Sequence, residues 1–380
     1  MKKSLFGLIS LFVGMVLALG AVELMAIAWL FIDEGRYTPA KELFDRTQNT
    51  FVRDLMKGSD CRYIDRLFPH PYVGFVHHAN PPCGRPNVNN VGLFNDDLPT
   101  VKRDDRYTIL LTGGSIASQL AQFDPPPSPK YLQEELNAHY VSPNGKPFLV
   151  LNGGDGGWKQ PQPFILFALY ASAVDAVAVI GGLNEYYNFR HYTRVRLERP
   201  ESNFLDVNPF VADENFGDAA IGWVMARIAG ALSRHSTFGQ SHAVYLIVRQ
   251  IEALAKSRGS QKSAKKTTID SLFALPPDVV GDGEKVFALQ LALYRKYQRA
   301  IEVVARDYGV KAAYFFHPVP AWGKTLTAQE KVAAGDLSYG PLYRRVIEAM
   351  MKQRESGMAV FDLGDMLADV KETIYADEAH

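Results

Sequence analysis

The sequence predicts an α/β protein with a parallel sheet, preceded by a membrane-spanning N-terminal helix. Three observations point there. Five short, almost wholly apolar runs recur along the chain: Tyr107–Leu111, Phe148–Leu151, Ala176–Ile180, Ala312–Phe316 and Ala359–Leu363. Stretches of helical pattern separate them. Before all of these lies an apolar run from Leu5 to Ile32, broken only by Glu23.

Parallel strands need crossover helices, and these cover both faces of the sheet. Their strands therefore read as continuous apolar runs rather than alternating ones. Tyr107–Leu111 leads into Thr112-Gly113-Gly114-Ser115, a buried strand ending in a tight turn. The second and third strands also end in glycines, and the fourth is followed by His317-Pro318. Helices are expected at Pro129–His139, at Gln160–Ala173 with Pro161 in its first turn, at Gly283–Tyr308 with Gly309 as the residue just past its end, and at Leu342–Arg354. Residues 187–282 exceed a normal crossover and read as an insertion. It holds an aromatic, Arg-rich loop, helices around Ala219–Ser233 and Ala243–Lys256, and a solvated Lys/Ser-rich loop over Lys256–Lys266.

The domain division is thus 1–33 anchor, 34–103 stalk and appendage, and 104–380 α/β domain. Residues 33–58 read as a helical stalk. In 59–103, Pro69 to Phe75 looks like a turn into a short strand, and Asn89 to Leu93 like another.

Lys2 and Lys3 precede the N-terminal apolar run, and Asp33 and Glu34 follow it. A bilayer needs about 20 apolar residues, and the charges favour an N-inside, C-outside anchor. A signal peptide cleaved near Ala18-Leu19-Gly20 is the rival reading. Both carry the rest of the chain out of the cytoplasm. Glu23 is costly in hydrocarbon; an outer-interface position, protonation and a partner helix are the three ways to accommodate it. The composition is ordinary for a globular chain, 47% hydrophobic and 22% charged, with zero formal net charge. That excludes a bulk attraction to nucleic acid. The only two cysteines, Cys61 and Cys83, follow the anchor; an oxidising compartment would join them, stabilising by roughly 3 kcal/mol. His70, His77 and His78 lie between them, but the spacing fits no zinc pattern, so no metal and no cofactor is expected. These histidines read as polar positions beside a strand.

Four stretches carry chemistry in their order: Thr112 to Ser115, Asn152 to Gly157, Gly182 to Glu185, and Asp377-Glu378-Ala379-His380. Ligands of an open parallel sheet bind beyond the carboxyl ends of its strands, and three of the four directly follow a strand. Ser115 at a helix start would sit where free N–H groups favour negative charge. It needs a base to become a nucleophile. His380 can be that base and Asp377 can orient it. Glycines of the second stretch and Asn184 can donate to an oxyanion. Each stretch alone has a plain structural reading: a turn with a helix cap, a glycine loop, a turn residue, a chance Asp-x-x-His. His317, before a proline, reads as structural. No Walker or dinucleotide motif is present.

Taken together the set resembles the SGNH hydrolase family, the GDSL lipases and esterases, over roughly residues 105–380 outside the insertion. The first block matches Gly114-Ser115, with Gly114 where the family usually has Asp. The second-block glycine matches Gly157, with Gly154 the fallback. The third block matches Gly182-Leu183-Asn184, and the last matches Asp377 and His380. The resemblance implies a flavodoxin-like three-layer α/β/α fold, no metal, and ester hydrolysis or acyl transfer with Ser115, Asp377 and His380 as triad. It also implies Ser115, Gly157 and Asn184 as the oxyanion hole. Tyr186, Tyr187, Arg190 and Arg194 follow the third block and are candidates to line a substrate cleft; a solvated loop is the other reading. The anchored layout, with Pro71 to Phe75 and Asn89 to Phe94 ahead of the serine block, also resembles membrane-tethered envelope members of the family. Some of these act on O-acetyl groups of surface polysaccharide, so an acyl-ester substrate, an acetylated glycan among them, is the expected partner beside the membrane. In the family a loop and a sheet-covering helix follow the last block, whereas this sequence stops at His380; either it is a fragment of a longer chain or that element is lost, and in this sequence a base on the final residue is expected to be poorly held. The alternative is a catalytically inactive member with an assembly or polysaccharide-binding role.

Overall fold

A computed structural model describes residues 2–46, 67–78, 88–99, 101–122, 131–200, 235–260 and 268–378, with isolated positions at 204, 224, 228, 231 and 232. Cys61, Cys83 and His380 lie outside the described residues, as does most of the expected helix at 219–233. The strands are β1 Leu67–His70, β2 Gly74–His77, β3 Tyr107–Gly113, β4 Phe148–Asn152, β5 Ala176–Gly181, β6 Lys311–Phe316 and β7 Val360–Asp362. The α-helices among the described residues are α1 Lys2–Glu34, α2 Ala40–Arg46, α3 Ser115–Gln122, α4 Tyr131–His139, α5 Gln162–Tyr170, α6 Leu183–Tyr186, α7 His242–Ser260, α8 Thr268–Leu272, α9 Gly283–Asp307, α10 Ala328–Ala334 and α11 Gly340–Met351.

The chain divides into two compact units, Met1–Asp60 with Asp213–Thr267, and Cys61–Ala212 with Thr268–His380. Residues 34–103 are therefore split between the units, and so is the long stretch 187–282.

In the first unit, α1 is long and apolar enough to cross a membrane. Its 33 residues reach about 50 Å, more than the roughly 30 Å of bilayer hydrocarbon. Leu11, Leu17 and Leu19 are exposed, as on a helix that is apolar all round. Nearer its end one stripe is covered: Leu30 packs with Leu43 and Phe44 of α2 and with Tyr245 and Val248 of α7. Glu23 meets the start of α7. Its carboxylate accepts from Ser241 Oγ at 2.6 Å, from the His242 N–H at 2.7 Å and from the Ala243 N–H at 3.1 Å, and lies 3.0 Å from His242 Nδ1. These are donors a helix start leaves unpaired, and the helix dipole favours an anion there. The one acid in the apolar run is thus answered by a helix of its own chain. Helix α7 continues to Ser260, so the first residues of the Lys/Ser tract are helical rather than looped; Lys and Arg are good helix formers.

The second unit is a flavodoxin-like three-layer α/β/α sandwich. Its sheet is parallel, in the order β4-β3-β5-β6-β7. Every residue of β4 is buried, as a strand covered on both faces requires. Alternate side chains serve opposite layers. Leu110, Leu149, Leu151, Val177 and Val179 share one core with Leu166 and Phe167 of α5, Tyr294 and Ile301 of α9, and Val346 and Ile347 of α11. Leu111, Val150 and Ile180 pack on the other face with Ala117 of α3 and with Leu132 and Leu136 of α4. Helix α9 buries Val286, Gln290, Tyr294, Gln298, Ile301 and Ala305, a single stripe at helical spacing. Asp282 caps its start by accepting from the Glu284 and Lys285 N–H groups, and Gly309 follows with φ +63°.

The segment before the α/β layers closes one edge of the sheet. Strands β1 and β2 form an antiparallel hairpin. Phe94 then bridges Asn152 at the end of β4, with N–H to O distances of 2.8 and 3.1 Å. The remaining edge groups of β4 are met by side chains: Asn137 bonds both ways with the Phe148 backbone, Gln133 accepts from the Val150 N–H, and Asn95 donates to the Val150 carbonyl. An exposed strand edge is a template for unwanted pairing, and this one is covered.

Candidate active site

The register places all five carboxyl ends on one edge of the sheet. Leu111 pairs with Asn152, Gly113 with Ile180, Gly181 with Phe316, and Phe316 with Asp362. After β3 the chain crosses to β4 on one side and returns to β5 on the other. Strand order reverses between β3 and β5, and this is where open α/β sheets form their ligand crevice. The first and third glycine-rich stretches leave those two strands.

Ser115 is the first residue of α3, two positions beyond β3. Gly114 before it lies against Asn184: a Cβ there would fall 2.2 Å from Asn184 Nδ2 and 3.1 Å from the Trp158 carbonyl oxygen. No side chain fits there unless Asn184 gives way, which accounts for glycine at this position. Asn184 Nδ2 donates to that Trp158 oxygen at 2.9 Å, which uses one of the two N–H groups on the amide. Trp158 follows Gly157, whose φ is +77°. One residue from each of the first three blocks, or its direct neighbour, therefore meets at a single point.

The second block is tied to the serine helix from below. Asn152 Nδ2 donates to the Ala117 carbonyl at 2.6 Å, and Asn152 Oδ1 accepts from the Gly154 N–H. A Cβ on Gly154 would come within 2.6 Å of Ala117 Cβ, so glycine lets this loop pass under α3. Gly154 is thereby packed beneath the serine helix, while Gly157 lies beside the residue that contacts Asn184. Asp155 shapes the turn between them. Its N–H donates to the Gly113 carbonyl, its Oδ1 accepts from the Gly156 N–H, and its carbonyl accepts from the Trp158 N–H. Its Oδ2 lies 3.3 Å from Nε2 of His77 on β2, both side chains being buried.

The third block is held by Glu185 and His317. Glu185 is buried and accepts from the Gly182 N–H at 2.8 Å. Burial pushes its carboxyl above the ordinary range, against the pull of the Gly182 N–H and of Lys159. The Leu183 N–H lies 3.4 Å from His317 Nε2, and His317 Nδ1 lies 2.9 Å from the Pro318 carbonyl. Both ring nitrogens of this buried histidine thus face backbone groups.

The last block arrives on the chain after β7. Glu330 of α10 steers it in. Glu330 forms a fully buried ion pair with Lys324 at 2.7 Å, caps its own helix through the Thr327 N–H, and accepts from the Ile374 and Tyr375 N–H groups at 2.8 and 3.1 Å. Burial raises its pKa, but Lys324 and the three N–H groups outweigh that and hold the carboxyl well below its usual range. Glu378 then accepts from the Tyr187 hydroxyl through Oε1 and from the Tyr339 hydroxyl through its carbonyl, both at 2.8 Å. This sets Asp377, half-buried, beside the residues that follow the third block.

Of the expected cleft residues, Tyr186 is buried against Tyr339 and Tyr343. Tyr187 is half-buried, and burial with the neighbouring Glu378 raises its pKa. The Arg190 guanidinium lies 4.7 Å from the Tyr187 ring and 4.9 Å from the Tyr192 ring. Arg194 is exposed. Trp158, Glu330, Tyr339 and the His77–Asp155 contact were not among the residues singled out from sequence. The local signals for them were the position of Trp158 directly after Gly157 and the capping-box spacing of Thr327 and Glu330. Among the described residues, no group of three or more His, Cys, Asp or Glu side chains is placed to hold a metal ion. A scan against protein-family models finds no match for the chain, and a search of curated proteins finds none either.

Proposed function

We propose that the chain is a membrane-anchored serine esterase or O-acyltransferase of the SGNH type. It faces the periplasm or cell exterior and acts on acyl esters such as O-acetyl groups of surface polysaccharide. The observation that carries this reading is the meeting of Gly114, Asn184 and Trp158 beside Ser115, at the reversal point of strand order.

Ser115 Oγ attacks the acyl carbon while His380 takes its proton, and Asp377 holds the imidazole and steadies its positive charge. The carbonyl oxygen becomes an oxyanion that receives the Ser115 and Gly157 N–H groups and the remaining Asn184 N–H. The C–O bond to the alcohol breaks, and the alcohol leaves with the proton held by His380. Water or an acceptor hydroxyl then attacks the acyl-serine by the reverse proton path, and exclusion of water decides between hydrolysis and transfer. Arg190, stacked between Tyr187 and Tyr192, supports a sugar-like substrate, since aromatic faces suit sugar rings and a guanidinium suits an anionic group. The charges flanking α1 support the outward orientation.

Labelling with a fluorophosphonate probe tests the reading. The expected result is labelling of the chain that is lost in Ser115→Ala, together with acetate release from an acetylated glycan by the unsubstituted protein alone. An unlabelled chain that releases no acetate would sink the enzyme reading and leave a binding protein on the same fold.

A further inference from the structure

The hairpin β1–β2 precedes the α/β layers and contributes none of the residues given a chemical role so far. One of its side chains nevertheless reaches the second block. His77 is 6% and Asp155 1% exposed, and His77 Nε2 stands 3.3 Å from Asp155 Oδ2. Its ring also lies 4.4 Å from that of Phe94, whose backbone is pinned to Asn152 at the end of β4. The imidazole is therefore clamped between a strand-end bridge and the carboxylate.

Asp155 fixes the backbone on both sides of itself. It joins Gly113 of the first block through its N–H, Gly156 through Oδ1, and Trp158 through its carbonyl. Gly157 sits inside that turn. An oxyanion donor acts only if its N–H is aimed before the charge develops, and small misplacements cost orders of magnitude. With His77 gone, Asp155 Oδ2 loses the imidazole beside it while Oδ1 keeps the Gly156 N–H, so the buried carboxylate would shift and take the turn with it.

We propose that His77 is a positioning residue: by holding Asp155 it fixes the Asp155–Trp158 turn and so the aim of the Gly157 N–H. The catalytic part of this inference rests on the ester-transfer reading above; the bracing of the turn does not. It also gives the hairpin a task, that of carrying a brace for the site.

The test compares the full chain with His77→Leu and His77→Gln in detergent or lipid discs. Leu removes the polar contact at similar bulk, whereas Gln keeps an N–H donor near the position of Nε2. The first measurement is amide hydrogen exchange over peptides covering 153–158, with peptides of β3 and β5 as the control for folding. Exchange at 153–158 should rise by about tenfold or more in His77→Leu, stay near the unsubstituted value in His77→Gln, and be unchanged in the strands. The second is steady-state ester turnover. His77→Leu should lower kcat by about 10–100-fold at nearly constant KM, less than the roughly 10²–10³ of removing an oxyanion donor outright because the donor is misaimed rather than lost, and His77→Gln should recover most of it. Unchanged exchange at 153–158 in His77→Leu overturns the inference, and so does a variant that raises KM while leaving kcat intact. If no form turns over ester but the exchange pattern is as expected, the enzyme reading falls and the brace stands.

Discussion

The nucleophile side and the base side of the proposed site are built by different means. Around Ser115 the geometry follows from the sheet. Strand register aligns Gly113 with Ile180, the Asp155 N–H bonds the Gly113 carbonyl, and glycines allow loop, helix and Asn184 to approach within side-chain-excluding distance. At Asp377 the sheet has already ended. Its segment is held by side chains, among them the buried acid Glu330 and two tyrosine hydroxyls. Backbone ladders break only with the fold, whereas side-chain tethers can be cut one at a time. The serine half of the site should therefore survive substitutions that loosen the base half.

The largest effect expected from breaking this contrast is at Glu330. Removing one member of a buried ion pair leaves the other charge unpaired and typically costs about 3–5 kcal/mol. Lys324 would be the orphan, since both side chains are fully buried. Glu330→Ala should lower stability by about that amount in denaturant unfolding, and should release residues 374–378 before the sheet. The pH dependence has a definite sign. The carboxyl sits below its ordinary value of 4.5 in the folded state, so the stability it provides is complete above the unfolded pKa and drains away as pH falls through that value toward the folded one. Acid unfolding of the unsubstituted chain should steepen there, and Glu330→Gln should flatten that part of the curve. Equal acid sensitivity in the two proteins would show that Glu330 is not the anchor.

On the serine side the corresponding probe is Asn184→Ala. It leaves β3, β5 and the tail tethers alone and removes a proposed oxyanion donor together with the bond to Trp158. Loss of one such donor costs about 10²–10³ in kcat. The expected outcome is that loss with KM nearly constant and labelling at Ser115 slowed rather than abolished. A rise in KM alone would instead make Asn184 a substrate-binding group.

How much of this was legible follows the same division. The five apolar runs became the five parallel strands, most legibly where burial is continuous as in β4, and by apolar content alone where it is partial, as in β6 and β7. The glycine stretches after three of them were visible for a related reason: only glycine permits the close approach seen at Gly114. Gly309 ended α9 as its position suggested. The contacts that escaped notice join residues far apart in the chain and leave no period to read. Glu23 and His242 are separated by 219 positions, and nothing near Glu23 announces a helix start as its partner. His77 looked like a polar neighbour of a strand because its carboxylate belongs to a different block. Glu330 is intermediate. Thr327 and Glu330 form a capping box, a pattern readable three residues apart, but its use as an anchor for Ile374 and Tyr375 depends on the path of the chain after β7.

The smallest effect is expected at Tyr187, and it sharpens the contrast most finely. Its hydroxyl donates to Glu378 at 2.8 Å on the exposed side of the tail. A hydrogen bond of this kind contributes about 1 kcal/mol net, which corresponds to roughly a fivefold change in rate if it is spent wholly on holding the base. Tyr187→Phe should therefore lower kcat by about fivefold and leave the thermal midpoint within a degree or two, because the ring still packs against Tyr186. Tyr339→Phe removes the parallel bond to the Glu378 carbonyl. Two tethers on one residue share the work of immobilising it, so the double variant should lose more than the product of the single losses. Strictly multiplicative losses would mean that the two hydroxyls hold the tail independently, each by its own contact.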